Sequence, residues 1–312
     1  MYNMGVMKDF VGNAATIKYL QKAVTEDNLS HAYLFCGPGG VGKTKAGAYF
    51  AKILLCESPD PLVCEGCPSC KLIESGNHPD FFHFDQETVL VDEIRELVGS
   101  LELRSYRGKG KVALISHAEK LTNQALNSFL KTLEEPTSET TIILTTENKK
   151  NLLPTIVSRA RMVNFGLATD KQVYELLNGD LGVKKDEAAK IVGLSAGRVG
   201  MAVNLAAEPE QVAEIAELVN DFNCIYRSQD IYEKINYADK VSKDKDGLGT
   251  KLQHIELAAR GELMALATDK KNTAKSSELI QMMDKIAKSR DMISANANAK
   301  LVMEGLLLRS LV

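Results

Sequence analysis

One run of the chain constrains its fold more than any other. The apolar stretch Ala32-Tyr33-Leu34-Phe35-Cys36 leads straight into Gly37-Pro38-Gly39-Gly40-Val41-Gly42-Lys43-Thr44, which fits the pattern G-x-x-x-x-G-K-[ST]. Such a loop works only between a strand and a helix. The strand delivers the turn, the glycines let backbone N–H groups point inward around an anion, and the helix adds its positive N-terminus. Lys43 is then expected to reach the β and γ phosphates of ATP, or the β phosphate of ADP, and the Thr44 hydroxyl to bind the accompanying Mg²⁺.

The pattern around this loop agrees with an α/β domain built on a mainly parallel sheet. Apolar runs predict strands over 32–36, 81–84, 112–115, 142–145 and 162–165, with helices over 14–25, 43–56, 91–103 and 123–133. From Thr169 onward the periodicity is helical and strand signals all but vanish. A short helical block (168–206) precedes a longer one (207–312), inside which Lys-Asp-Lys-Asp-Gly-Leu-Gly (243–249) reads as the clearest loop. Apolar residues at helical spacing there, such as Ile255, Leu257, Ala258, Leu263 and Leu266, predict helices that pack on one another.

A nucleotide hydrolase of this type needs two acids after a second strand, one for Mg²⁺ and one for water. After the strand over 112–115 this chain has Ser116-His117-Ala118-Glu119. Both acidic positions are lost, and the nearest carboxylate comes three residues late. His117 reads as a loop histidine, since nothing else in the sequence supports it as a base. Nucleotide binding without hydrolysis is the expectation.

Four cysteines, Cys56, Cys64, Cys67 and Cys70, follow the first helix after the phosphate loop as C-x7-C-x2-C-x2-C. Four thiolates so close suit tetrahedral Zn²⁺, and a shell of four cysteines leaves no position for a reactive water, so the expected role is structural. Residues 1–8 have no apolar core of secretory type, and no apolar run approaches membrane-spanning length, which predicts a cytoplasmic protein with reduced cysteines and no membrane contact. Cys36 and Cys224 sit in apolar contexts and read as buried core residues.

Composition excludes several classes. A net charge of −3 over 312 residues does not suit a chain that grips duplex DNA alone. The absence of Trp and an aromatic content of 6% speak against an aromatic platform for single strands. An initiator or branch-migration helicase would need a basic C-terminal helix-turn-helix domain, and the acidic balance and mixed-charge tail speak against one. Arg104, Arg107, Lys109 and Lys111 form a basic stretch that reads as a solvated loop.

Taken with the loop and the cysteines, several further runs carry a family resemblance: Ser30-His31-Ala32-Tyr33-Leu34-Phe35, Gly76-Asn77-His78-Pro79-Asp80, Asn127-Ser128-Phe129-Leu130-Lys131-Thr132-Leu133-Glu134-Glu135-Pro136 and Ser158-Arg159-Ala160. The chain resembles the AAA+ subunits of the bacterial DNA polymerase III clamp loader. Asn296-Ala297-Asn298-Ala299-Lys300-Leu301 and Leu306-Leu307-Leu308 look like the end of the delta-prime kind. The missing acids also point to delta-prime, against an active ATPase motor of the gamma/tau kind.

The resemblance implies an AAA+ domain over 1–167 with a zinc insert at 56–70, a small helical lid over 168–206 and a helical collar over 207–312. It implies gamma/tau and delta subunits as partners in a hetero-oligomer, and a role in placing the sliding clamp on primed DNA as a component of the DNA polymerase III holoenzyme. Thr146 resembles the first sensor of the γ phosphate and Arg198 the second, in the lid. Arg159 matches the arginine of the family's Ser-Arg-Cys motif, with Ala160 in place of the cysteine. It is expected to act in trans, against ATP held by a neighbouring subunit.

Overall fold

The computed structural model describes residues 10–64, 66–85, 91–134, 139–267 and 273–308. Residues 1–8, Glu65 of the cysteine segment and Glu135-Pro136 therefore lie outside the described residues. The chain divides between Ala168 and Thr169 into two compact units.

The first unit alternates helices and strands: α1 (Ala14–Thr25), β1 (Ala32–Cys36), α2 (Lys43–Leu54), α3 (Pro68–Glu74), β2 (Phe81–Phe84), α4 (Val91–Glu102), β3 (Lys111–Ile115), α5 (Asn123–Glu134), β4 (Thr140–Thr146), α6 (Pro154–Arg159) and β5 (Arg161–Asn164). All pairings are parallel, in the order β2-β3-β4-β1-β5. Side chains alternate along each strand, so the two faces build separate cores. Tyr33, Phe35, Val112, Leu114, Ile143 and Val163 pack with Ile17, Leu20, Ala46 and Phe50 of α1 and α2. Ala32, Leu34, Ala113, Ile115, Ile142 and Leu144 pack on the other face with Ile94, Leu97, Phe129 and Ile156 of α4, α5 and α6. Helices on both faces explain why the strands read as continuous apolar runs rather than as alternating ones. Asn13 ties the start of α1 to the end of the sheet, its side chain donating to the Gly166 carbonyl at 3.1 Å and accepting from the Gly166 N–H at 2.8 Å.

The second unit is helical throughout its described residues: α7 (Asp170–Glu175), α8 (Lys185–Ser195), α9 (Val199–Ala207), α10 (Pro209–Arg227), α11 (Ile231–Ser242), α12 (Lys245–Ala267), α13 (Thr273–Ser294) and α14 (Ala299–Leu308). Phe222, Leu248, Leu252, Ile255, Leu279, Ile286, Met303 and Leu307 form its main core, and α8 packs against α12.

Three expectations are corrected here. The stretch 243–249 is no loop, because α12 begins at Lys245. Asp244 caps the helix, its Oδ1 accepting from the Gly247 N–H at 3.0 Å, so what read as turn chemistry is a helix start. Cys224 is exposed, and Cys36 is only half-buried. On α10 the buried residues Phe222 and Tyr226 share a face, and Cys224 lies between them in sequence, about half a turn away. The basic stretch is also less solvated than expected: Lys111 is buried with its ammonium on the Ser100 carbonyl, and Arg107 pairs with Glu57.

Candidate nucleotide loop and metal centre

In a parallel sheet the loops that follow the strands gather at one edge. Here β3, β4 and β1 are neighbours, so the residues after them converge. The phosphate loop leaves β1, with Gly42 at φ 94° immediately before α2, a conformation open to glycine at little cost. Gly37 lies so close to the end of the sheet that a Cβ would come within 2.3 Å of the Phe165 carbonyl oxygen. The Gly37 N–H donates to the Thr146 carbonyl at 3.2 Å, fixing the loop to the end of β4. Lys43 is buried, its ammonium donating to the carbonyls of Gly37 and Pro38 at 2.7 and 2.8 Å. These bonds keep the charge beside Pro38, Gly39, Gly40 and Val41.

Thr44 Oγ1 lies 3.0 Å from Ser116 Oγ, at the end of β3. A carboxylate at 116 would share a cation with Thr44; a serine hydroxyl hydrogen-bonds it instead. His117 has a left-handed backbone (φ 53°), and its N–H donates to Thr145 Oγ1 at 3.1 Å. Thr146 is fully buried and bonded locally, its hydroxyl donating to the Asn148 carbonyl and accepting from the Asn148 N–H, both at 3.2 Å.

Glu119, too distant by sequence spacing, is brought back by a single 3₁₀ turn over Ala118–Lys120. Its Oε1 is 3.8 Å from His117 Nδ1 and accepts from the Glu147 N–H at 3.4 Å. Burial pushes this carboxyl up, but the His117 side chain and the backbone N–H groups of Glu119 and Glu147 outweigh it and hold the group at about 2. The Glu147 carboxylate lies against Gly39 of the phosphate loop. Sequence reasoning missed both acids as members of this cluster, since only the 3₁₀ turn and the strand order bring them to the loop.

The four cysteines converge. Their sulfurs lie within 4.8 Å of one another, with Cys56–Cys67 and Cys64–Cys70 each at 3.8 Å. A tetrahedron with Zn–S arms of about 2.3 Å has edges of about 3.8 Å, so the spacing fits the ion. Helix α2 ends at Leu54 rather than at 56, which frees Cys56 for the cluster. Cys67 caps α3, its sulfur accepting from the Cys70 N–H at 3.5 Å, and Cys64 Sγ accepts from the Cys67 N–H at 3.4 Å. Burial pushes the Cys67 thiol up, but the N–H groups of Cys70 and Glu57 outweigh it and carry it to about 6. N–H groups of Cys67 and Gly66 lower Cys64, whereas burial raises Cys56 to about 11 and Cys70 further. Four thiolates together call for a cation, which stabilises the deprotonated form of each.

The module is stapled to the sheet by the Gly76–Asp80 run. The His78 ring contacts Ser69 Oγ at 2.7 Å, and Ser69 Oγ donates to the Leu55 carbonyl at 2.7 Å. The buried Asp80 carboxylate accepts from the N–H groups of Tyr106 and Arg107 at 2.8 and 2.9 Å. Arg107 then pairs with Glu57, beside Cys56.

Arg159 is the last residue of α6, at the start of edge strand β5. The phosphate loop leaves the other end of the sheet, about 10 Å away along β5 at about 3.3 Å per residue. Arg198 belongs to the second unit, where it precedes α9 and its N–H donates to the Ser195 carbonyl at 3.0 Å.

Residues 12–168 match the family described as DNA polymerase III, delta subunit. The chain is 34% identical over 218 residues to DNA polymerase III subunit delta' of Bacillus subtilis (strain 168), an alignment covering 68% of this chain and 64% of that relative. It is 36% identical over 173 residues to DNA polymerase III subunit tau of the same organism, covering 55% of this chain and 31% of tau. The chain thus spans less than two thirds of the length of these relatives. A DNA polymerase III gamma subunit-related protein of Thermotoga maritima superposes with a TM-score of 0.45 and 16% identity, covering 95% of this chain and 98% of that one. The family match across residues 12–168, with delta' among the relatives, shows that the chain belongs to the DNA polymerase III delta-prime family.

Proposed function

We propose that this chain is a delta-prime-type subunit of the DNA polymerase III clamp loader, which helps to place the sliding clamp on primed DNA in the cytoplasm. It binds ATP or ADP with Mg²⁺ through residues 37–44, does not hydrolyse the nucleotide, and supplies Arg159 to ATP held by a neighbouring gamma/tau subunit. Thr146 and Arg198 sense the bound nucleotide, and Cys56, Cys64, Cys67 and Cys70 hold one structural Zn²⁺. Residues 168–206 act as a lid, and residues 207–312 as a collar that assembles with the helical regions of gamma/tau and delta.

The observation that carries this reading is the contact between Thr44 and Ser116. The loop keeps its lysine and threonine, yet the partner that would complete a cation site is a hydroxyl. Ser is a weaker Mg²⁺ ligand than a carboxylate, and His117 is engaged with Glu119 rather than with a second acid. In the neighbour's site the Arg159 guanidinium offsets charge that builds on the transferred phosphoryl group, worth on the order of 10³–10⁵ in rate for such arginines generally.

The test measures nucleotide binding and ATPase of the purified chain, then clamp- and DNA-stimulated ATPase of the reconstituted complex. Binding that Lys43→Ala abolishes, no turnover by the chain alone, and a fall in the complex with Arg159→Ala are expected. The intact loop and the likeness to tau favour the motor as the second reading. Steady turnover by the isolated chain, removed by Lys43→Ala, would establish that reading instead.

A further inference from the structure

The Arg159 side chain does not project freely. Its Nη2 lies 2.7 Å from Glu134 Oε1, and its Nη1 donates to the Thr155 carbonyl at 3.1 Å. Both ion-pair partners are partly exposed, at 35% for Arg159 and 50% for Glu134. Glu134 belongs to the last described turn of α5, and Arg159 is the last residue of α6. A cation at a helix C-terminus is favoured by the helix dipole, which suits Arg159 at the end of α6.

A guanidinium carries five N–H donors in a rigid planar fork. Glu134 pairs with Nη2 and the Thr155 carbonyl accepts from Nη1–H. Among the described residues the guanidinium has no further acceptor, so Nε–H can meet another group. Two fixed points suffice to set the plane and direction of the fork, whereas an unrestrained arginine must lose rotamer freedom at the moment it meets a phosphate.

We propose that Glu134 is a positioning residue for Arg159: it holds the guanidinium at the edge of the sheet in the orientation that the neighbouring subunit's nucleotide requires. This rests on the reading of Arg159 as acting in trans. Without Glu134 the cost of ordering the side chain falls on the catalytic step, so neighbour-site kcat drops by about two- to tenfold. The KM for ATP stays unchanged, because the neighbour's own loop binds the nucleotide.

The test reconstitutes the complete complex with Glu134→Gln, Arg159→Ala and the double variant, and measures stimulated ATPase as kcat and KM after assembly is verified by size exclusion. A lower kcat in Glu134→Gln, a larger loss in Arg159→Ala, and no further loss in the double variant are expected. A further loss in the double variant would show that Glu134 acts through the fold and overturn the proposal. So would unchanged or faster turnover in Glu134→Gln while Arg159→Ala is slow. Unchanged turnover in Arg159→Ala would instead overturn the trans-acting arginine, and the positioning role with it.

Discussion

Replacing His78 tests whether the cysteine module is held to the sheet as described. The imidazole is 4% exposed and Ser69 is fully buried. The Asp80 N–H reaches His78 Nδ1 at 3.1 Å. A backbone N–H can only donate, so Nδ1 is the bare nitrogen, and the neutral ring carries its proton on Nε2. Nε2–H then donates to Ser69 Oγ, whose own proton goes to the Leu55 carbonyl. His78→Ala leaves a buried N–H without an acceptor and Ser69 without a donor, and opens a cavity. Unsatisfied buried groups cost about 1–3 kcal/mol each, so a loss of about 3–5 kcal/mol is expected. His78→Asn places an oxygen near the position of Nδ1, and His78→Gln an amide N–H near that of Nε2. Each restores one bond and should lose only about 1–2 kcal/mol. Burial also lowers the His78 pKa, so the folded state favours the neutral ring. The stability this contributes is complete above about pH 6.5 and declines as pH falls below it, by at most about 1.4 kcal/mol per pH unit. Hydrogen–deuterium exchange of β2 and β3 peptides across a urea titration isolates the first unit from the second. An Ala variant within about 1 kcal/mol of the parent, or Asn and Gln variants no better than Ala, would refute the relay.

Cys67→Ser, or exhaustive chelation, should abolish stoichiometric zinc and lower the melting temperature of the first unit, as read by metal analysis and calorimetry; unchanged zinc would remove Cys67 from the ligand set. Gly37→Ala forces a Cβ against the Phe165 carbonyl, and overpacking of about 1–3 kcal/mol should weaken ATP binding by about tenfold or more in calorimetric titration. The Glu119 carboxyl, held at about 2, contributes stability that is full above pH 4.5 and lost as pH falls toward 2. Glu119→Gln should therefore flatten the acid limb of the denaturation profile, and a profile identical to the parent would contradict the contacts of Glu119 with His117 and the Glu147 N–H.

The chain's local chemistry was legible without coordinates wherever one short run carries the whole signal. Residues 32–44 specify a strand, an anion loop and a helix together. The four cysteines, by ligand type and spacing, mark a cluster that could hold a metal ion, and the apolar runs mark five strands because helices cover both faces of the sheet. What joins distant runs was not legible. Glu119 reaches the Glu147 N–H only through a 3₁₀ turn, Glu147 reaches Gly39 only because β4 lies beside β1, and Glu134 meets Arg159 only because α5 packs beside α6. Local signals also misled where one residue type serves two ends: Asp and Gly at 244–249 read as a turn, but Asp244 caps a helix. Periodicity and ligand count are properties of neighbouring residues, so the sequence carries them. Which carboxylate faces which guanidinium depends on strand order and helix ends, and those are settled only when the two cores close around the sheet.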